Sequence, residues 1–227
     1  MKMPVALMYL FLICGALPQV ALSAEVTYNV GSHTFVVPKN NIPDLSPWAW
    51  IKSIAGLDED VDSFIFEFPG KDIQPYVKGY VPEKNAIDQK VIGAIYHVDS
   101  VERARFYDVK KYADIWHANN GYETREVVRD QNSGYYLVYE KEGYRGTFYV
   151  FSKPPEGTLP GNKEDFFVAS CSGSSVTELK HVGCSKQFLF ADDLMVDFSI
   201  SLENLKSQSS VTSFLEEKLA EWEVQIK

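Results

Sequence analysis

Three aspartates at alternate positions, Asp58, Asp60 and Asp62 in the run LDEDVDS, are the first place where side-chain type and spacing could support chemistry. Alternate carboxylates in a loop can converge on one cation. A calcium loop of the EF-hand kind starting at Asp58 would need glycine at 63 and glutamate at 69, where this chain has Ser63 and Pro69. The run therefore reads as a solvated acidic turn that, together with Glu59, could meet a basic partner. His33, His97, His117 and His181 lie on four separate segments without ligand spacing. No HExxH, CxxC, GxSxG or Gly-rich phosphate loop occurs. The residues thus name no catalytic group, no metal site and no cofactor, and a non-enzymatic protein is expected.

Cys171 and Cys184 are separated by a stretch that suits a structural disulfide closing a β-meander, whereas a redox-active pair more usually stands as CxxC. The aromatic run GYYLVYEKEGYRGTFYVFS is the second candidate contact surface. Strand alternation puts Tyr135, Leu137 and Tyr139 on one side and Tyr136 and Val138 on the other, so apolar character falls on both faces. Either this sheet is covered on both faces, the favoured reading, or it presents aromatics to a partner. On the second reading Tyr135, Tyr136, Tyr144 and Tyr149 are the contact residues.

The elements that position these residues follow from bulk and local pattern. The chain has 227 residues, 45% hydrophobic and 23% charged, a composition that excludes disorder and fibrous repeats. Residues 1–24 read as a cleavable secretory signal peptide: one Lys2, an apolar run shorter than the ~20 residues of a membrane span, Pro18, and small residues at Ala21, Ser23 and Ala24. Cleavage is expected after Ser23 or Ala24, leaving a periplasmic chain without stable membrane insertion, in a compartment that permits disulfides. The whole chain carries 22 basic and 31 acidic residues, net −9; loss of Lys2 with the signal makes it −10. That charge repels nucleic acid and anionic lipid.

Glu25 to Val37 reads as a hairpin closed by Pro38, and Pro47 to Ala55 as a short helix capped by Ser46. Strands are expected at Ser63 to Phe68, Tyr76 to Val81 and Val91 to Val98, then a strand or turn at Ala104 to Val109 and a helical turn around Tyr112 to Trp116. From Tyr122 to Ile200 six strands form a meander: Tyr122 to Arg129, Tyr135 to Lys141, Arg145 to Ser152, Phe166 to Cys171, Cys184 to Phe190 and Leu194 to Ile200. A final helix carries Val211, Phe214, Leu215, Leu219, Trp222 and Ile226 as one apolar stripe. The fold class is α+β, an antiparallel meander sheet with a short helix near Trp48 and a carboxy-terminal helix packed on it. Residues 25–227 are expected to form one domain, with a subdivision near 119–121 as the alternative.

Taken together, the YNVGSHTFVVPKN hairpin, the WAWIKSIAGLDEDVDSFIFEF passage and the GCSKQFLFADDLMVDFSISLENL run resemble the periplasmic immunity proteins encoded beside toxic effectors of bacterial type VI secretion systems. The resemblance spans about half of the mature chain and includes no shared inhibitory motif, so no residue role is carried over. It implies a cognate toxin as partner, with a phospholipase-type effector as the first candidate, blocked at its active site. The alternative from the residues alone is an exported small-ligand-binding or envelope-maintenance protein.

Overall fold

The computed structural model describes residues 25–43, 63–119, 121, 123–142, 146–155, 162–173 and 182–224. The signal segment, the helix expected at Pro47 to Ala55, Asp58 to Asp62, Tyr144, His181 and Ile226 lie outside those residues. The fold is α+β, as the pattern predicts. Its frame is an eight-stranded antiparallel sheet in the order β3-β6-β12-β11-β10-β9-β8-β7. The six strands of the meander are β7 (Glu126–Arg129), β8 (Tyr136–Tyr139), β9 (Thr147–Phe151), β10 (Phe167–Ser172), β11 (Gly183–Phe190) and β12 (Leu194–Ser201). Beyond β12 lie β6 (Val91–His97) and β3 (Ser63–Phe68), so strands from either side of position 120 share the sheet. The first three meander strands are shorter than expected, although backbone bonds continue just past their ends, with Glu142 N–H donating to Thr124 O at 3.1 Å and Ser152 N–H to Phe166 O at 2.8 Å. Two small hairpins complete the strands: β1 (Glu25–Val30) with β2 (His33–Pro38), as expected, and β4 (Glu83–Lys84) with β5 (Ile87–Asp88).

Period-two alternation decides what each sheet face meets. On one face Phe64, Phe66, Phe68, Ile95, Val196, Phe198 and Ile200 form the main core with Phe35 and Val37 of the β1–β2 hairpin. The last helix, Gln208–Trp222, closes that core with the predicted stripe Val211, Phe214, Leu215, Leu219 and Trp222. Trp222 stacks on Phe68 at 5.3 Å, and Phe214 meets the same ring edge-on at 5.0 Å. Gly93 of β6 makes room for Phe66: a Cβ there would sit 2.4 Å from its Cζ. Opposite Ile200, Cys184 pairs across β10–β11 with Cys171, and the two form a disulfide.

Two expectations between the first strands and the meander are corrected. Tyr76 to Val81 is not a strand. The chain forms α1 (Gly70–Ile73) and continues in turns, which buries Ile73, Val77 and Tyr80 with Val77 N–H donating to Ile73 O at 3.0 Å. Buried Asn204 pins this turn, accepting from Val81 N–H at 2.7 Å and donating to Val81 O at 2.9 Å. Nor is Ala104 to Val109 a strand: helix α2 spans Ser100–Phe106. It starts from a reciprocal cap in which Asp99 Oδ1 accepts from the N–H groups of Val101 and Glu102, both at 2.8 Å, while Glu102 Oε2 accepts from Asp99 N–H at 3.1 Å. The expected helical turn near Tyr112 is longer, α3 (Val109–His117), capped by Asp108 and ended at Ala118 with φ +59°. The carboxy-terminal helix is accordingly α4.

Helices α2 and α3 cover the second face. Ile115 packs with Val138, Phe151, Phe166 and Phe167, and Phe106 with Val98 and Met195. The aromatic meander is therefore covered on both sides, as the favoured reading expects. Replacing both Cys171 and Cys184 with serine is expected to lower the unfolding free energy by about 3 kcal/mol in urea titrations, from the loop of sequence separation 13 that the bond closes. An unchanged midpoint would show that the loop's ends are held by strand pairing alone. Gly93→Ala should cost about 1–3 kcal/mol by overpacking against Phe66, read as a lower thermal midpoint.

Candidate functional site

Where the second sheet face passes beneath α2 and α3, its inward positions change from apolar to polar. Gln187 and Asp197 stand opposite each other on β11 and β12. Asp197 accepts from Ser185 Oγ at 2.7 Å and from Gln187 Nε2 at 2.9 Å. Burial nonetheless raises its carboxyl above the ordinary aspartate value, against these hydrogen bonds and the nearby Lys163 charge. The 3-10 turn Lys163–Asp165, capped by Asn162, delivers Lys163 into the same region. Its side chain is only 5% exposed, with Nζ 3.5 Å from the Phe106 ring centre and 5.5 Å from that of Tyr112.

Lys163 is pushed down to about 8, chiefly by burial and further by Lys186 and Lys111, while Glu164 and Asp197 act the other way. Burial also lowers Lys186 on β11, with Glu164 opposing. Tyr112 stacks on Phe167 at 3.9 Å and makes one wall. These groups line a recess of about 200 Å³ that opens to solvent, with Lys111, Lys163, Lys186, Glu164, Ser170 and Ser185 in its wall. Beside it, between the helices and the sheet, a hollow of about 410 Å³ shares Lys111, Tyr112, Lys163 and Gln187 and adds Tyr96, Glu102 and Arg105.

Helix α2 forms the outer rim. Of its residues only Phe106 is buried, and Arg103 Nη1 donates to Asp192 O at 2.9 Å, which ties the helix to the β11–β12 turn. Val101 is 56% exposed and Tyr107, just after the helix, 49% exposed, and Arg105 is exposed as well.

The tyrosines singled out from the sequence are divided between the two faces. Tyr135 is half-buried against the main core, and burial raises its phenol. Tyr136 and Tyr149 lie on the second face with the α3 cluster, Tyr136 edge-on to Trp116 at 5.4 Å and Tyr149 donating to Glu140 Oε1 at 3.4 Å. None of the three lines the lysine recess. The recess residues Lys111, Lys163, Lys186 and Asp197 are ones that sequence reasoning missed. The available signal was a charged residue inside each of the strands CSKQFLF and LMVDFSI.

A second charged cluster joins three distant segments. When His33 is protonated, Nδ1 donates to Glu223 Oε1 at 2.6 Å and Nε2 to Asp193 Oδ1 at 3.0 Å, with His97 Nε2 3.9 Å from the other Asp193 oxygen. The hairpin, the β11–β12 turn and the end of α4 are thereby clasped, and Val224 N–H adds a bond to Thr34 O at 2.8 Å. Among the described residues no three His, Cys, Asp or Glu side chains are grouped to hold a metal ion, and no helix is long and apolar enough to cross a membrane. His33 is held above the ordinary histidine value, first by its bond to Glu223 and then by Asp193, with burial opposing. Its folded value exceeds the unfolded one, so its contribution is full below about pH 6.5 and is lost as pH rises through the raised value. The stability difference between the protein and His33→Gln should therefore be larger at pH 6 than at pH 9 in urea unfolding. Equal differences at both pH values would mean that His33 protonation does not hold the clasp.

No protein-family model matches the chain. No curated protein matches it either. Among solved structures it is similar to an immunity protein of the Stenotrophomonas maltophilia type IV secretion system, with 14% identity, coverage of 89% of this chain and 94% of that one, and a TM-score of 0.47.

Proposed function

We propose that the chain is a periplasmic immunity protein that binds a cognate secreted toxin, a type VI effector such as a phospholipase, and blocks its active site. The observation that carries this reading is the rim of α2. Val101 and Arg105 on the helix and Tyr107 at its end are exposed, and the helix is capped at its start by Asp99 and tied down by Arg103. Large exposed apolar side chains on a fixed element favour a protein contact, and Tyr and Arg are among the residue types that most often dominate such contacts. The resemblance in the hairpin and in the β11–β12 region, the expected signal segment and the disulfide are consistent with an exported inhibitor. The net charge of −9 favours a toxin with a basic cleft and fast capture at low salt. Asp58, Glu59, Asp60, Asp62, Tyr135, Tyr136, Tyr144 and Tyr149 remain additional candidate contacts.

A second reading, an exported small-ligand-binding protein, is favoured by one observation: the 410 Å³ hollow falls in the size range of small-molecule sites. The tagged mature protein, used to capture partners from its own cells, separates the two. A stoichiometric secreted enzyme whose activity falls on binding supports immunity, and a retained small molecule without protein supports the ligand reading. With the toxin in hand, Tyr107→Ala with Arg105→Ala is expected to weaken binding at least tenfold while leaving the thermal midpoint unchanged. Undiminished affinity would remove α2 from the interface.

A further inference from the structure

The lysine-lined recess brings three ammonium groups to one cavity with a single lining carboxylate, Glu164. The chain holds 31 acidic residues against 22 basic ones, so acidic partners are not scarce. Even so, among the described residues the ammonium groups of Lys111, Lys163 and Lys186 take part in no hydrogen bond or ion pair; Lys163 faces two aromatic rings and Lys111 one. The three line one cavity and lie close enough for Lys111 and Lys186 both to disfavour the charge on Lys163. Burying an ammonium group without an anion is costly, and like charges held together raise the cost. Two carboxylates are near. Glu164 lines the cavity, while Asp197 is engaged by Ser185 and Gln187.

We propose that this recess is a binding site for a single oxyanion group, phosphate or carboxylate, gripped by Lys163, Lys186 and Lys111 with the Ser170 hydroxyl as a further donor. At about 200 Å³ the cavity suits one such group and lies below the range that encloses a drug-sized ligand. The site is positioned by fixed elements: the Lys163–Asp165 turn capped by Asn162, strand β11, and Tyr112 stacked on Phe167. Charge-assisted hydrogen bonds to a bound oxyanion would replace the solvation that Lys163 has lost. The anion can be a free small molecule or a carboxylate offered by a bound protein, and the inference stands whether or not a toxin is the partner.

The test uses the full mature chain in thermal melts and calorimetric titrations with inorganic phosphate and with acetate, each matched to sodium chloride of equal ionic strength. A saturable rise in melting temperature beyond the chloride control is expected with at least one of the two anions. Lys163→Met, which removes a buried charge at similar volume, should weaken that binding at least tenfold, and exposed Lys111→Met should weaken it less. The Lys111 variant keeps the comparison informative if the Lys163 variant fails to fold. Binding of phosphate alone assigns the site to a free tetrahedral anion. Acetate binding that competes with a captured protein assigns it to that protein's carboxylate. No rise beyond chloride for either anion, or a rise undiminished in both variants, overturns the proposal.

Discussion

The stacking of Trp222 on Phe68, with Phe214 edge-on to the same ring, is the contact on which the rest of the architecture depends. It joins the last helix to β3, an outer strand of the sheet, and closes the main core above Phe66 and Ile95. An amphipathic helix of 15 residues gains little stability alone, so α4 persists because its aromatic stripe is buried. The same docking brings Glu223 to His33 and Val224 to Thr34, so the first hairpin and the last helix are held by apolar and ionic contacts at one corner. Loss of the helix would uncover Phe66 and Phe68 and release that hairpin together.

The second face is built on a different balance. Above β7 to β9, helix α3 lays Ile115 and Trp116 on a mainly apolar surface, at which Tyr149 bonds to Glu140. Above β11 and β12 the covering is thinner and the sheet presents Ser185, Gln187 and Asp197. Charged side chains are thus trapped between two layers without being in the core. This explains how one small region shifts a carboxyl upward and two ammonium groups downward through burial.

Much of this frame was legible in the chain. The alternation of Phe64, Phe66 and Phe68 and the Val211 to Trp222 stripe each carry a clear period, and each element lies where that period puts it. What failed was ambiguity in short segments. Tyr76 to Val81 has strand-like composition, but its buried residues follow the spacing Ile73, Val77, Tyr80, which only the preceding turn of helix reveals. For α2, the Asp99 and Glu102 capping pair was the visible sign, yet the helix buries one side chain and so lacks an apolar period. The recess was invisible for a related reason. Met195 and Asp197 alternate with main-core residues as one side of a solvated strand would, and nothing local announces that helices and Lys163 will lie over them. The contacts proposed from acidic and aromatic composition at Asp58 to Asp62 and in the tyrosine run were drawn from chemistry without geometry.

The meander's outermost strand, β7, has only four residues, with Glu126 and Arg129 at its ends. An exposed sheet edge offers unpaired backbone groups to any extended chain that meets it, and long, flat, apolar edges recruit copies of themselves. Here the template is too brief and too charged for a second molecule to zip onto it, although Val128 is 37% exposed. That edge therefore resists runaway polymerisation when the protein is crowded, and discourages growth of the sheet from one chain to the next.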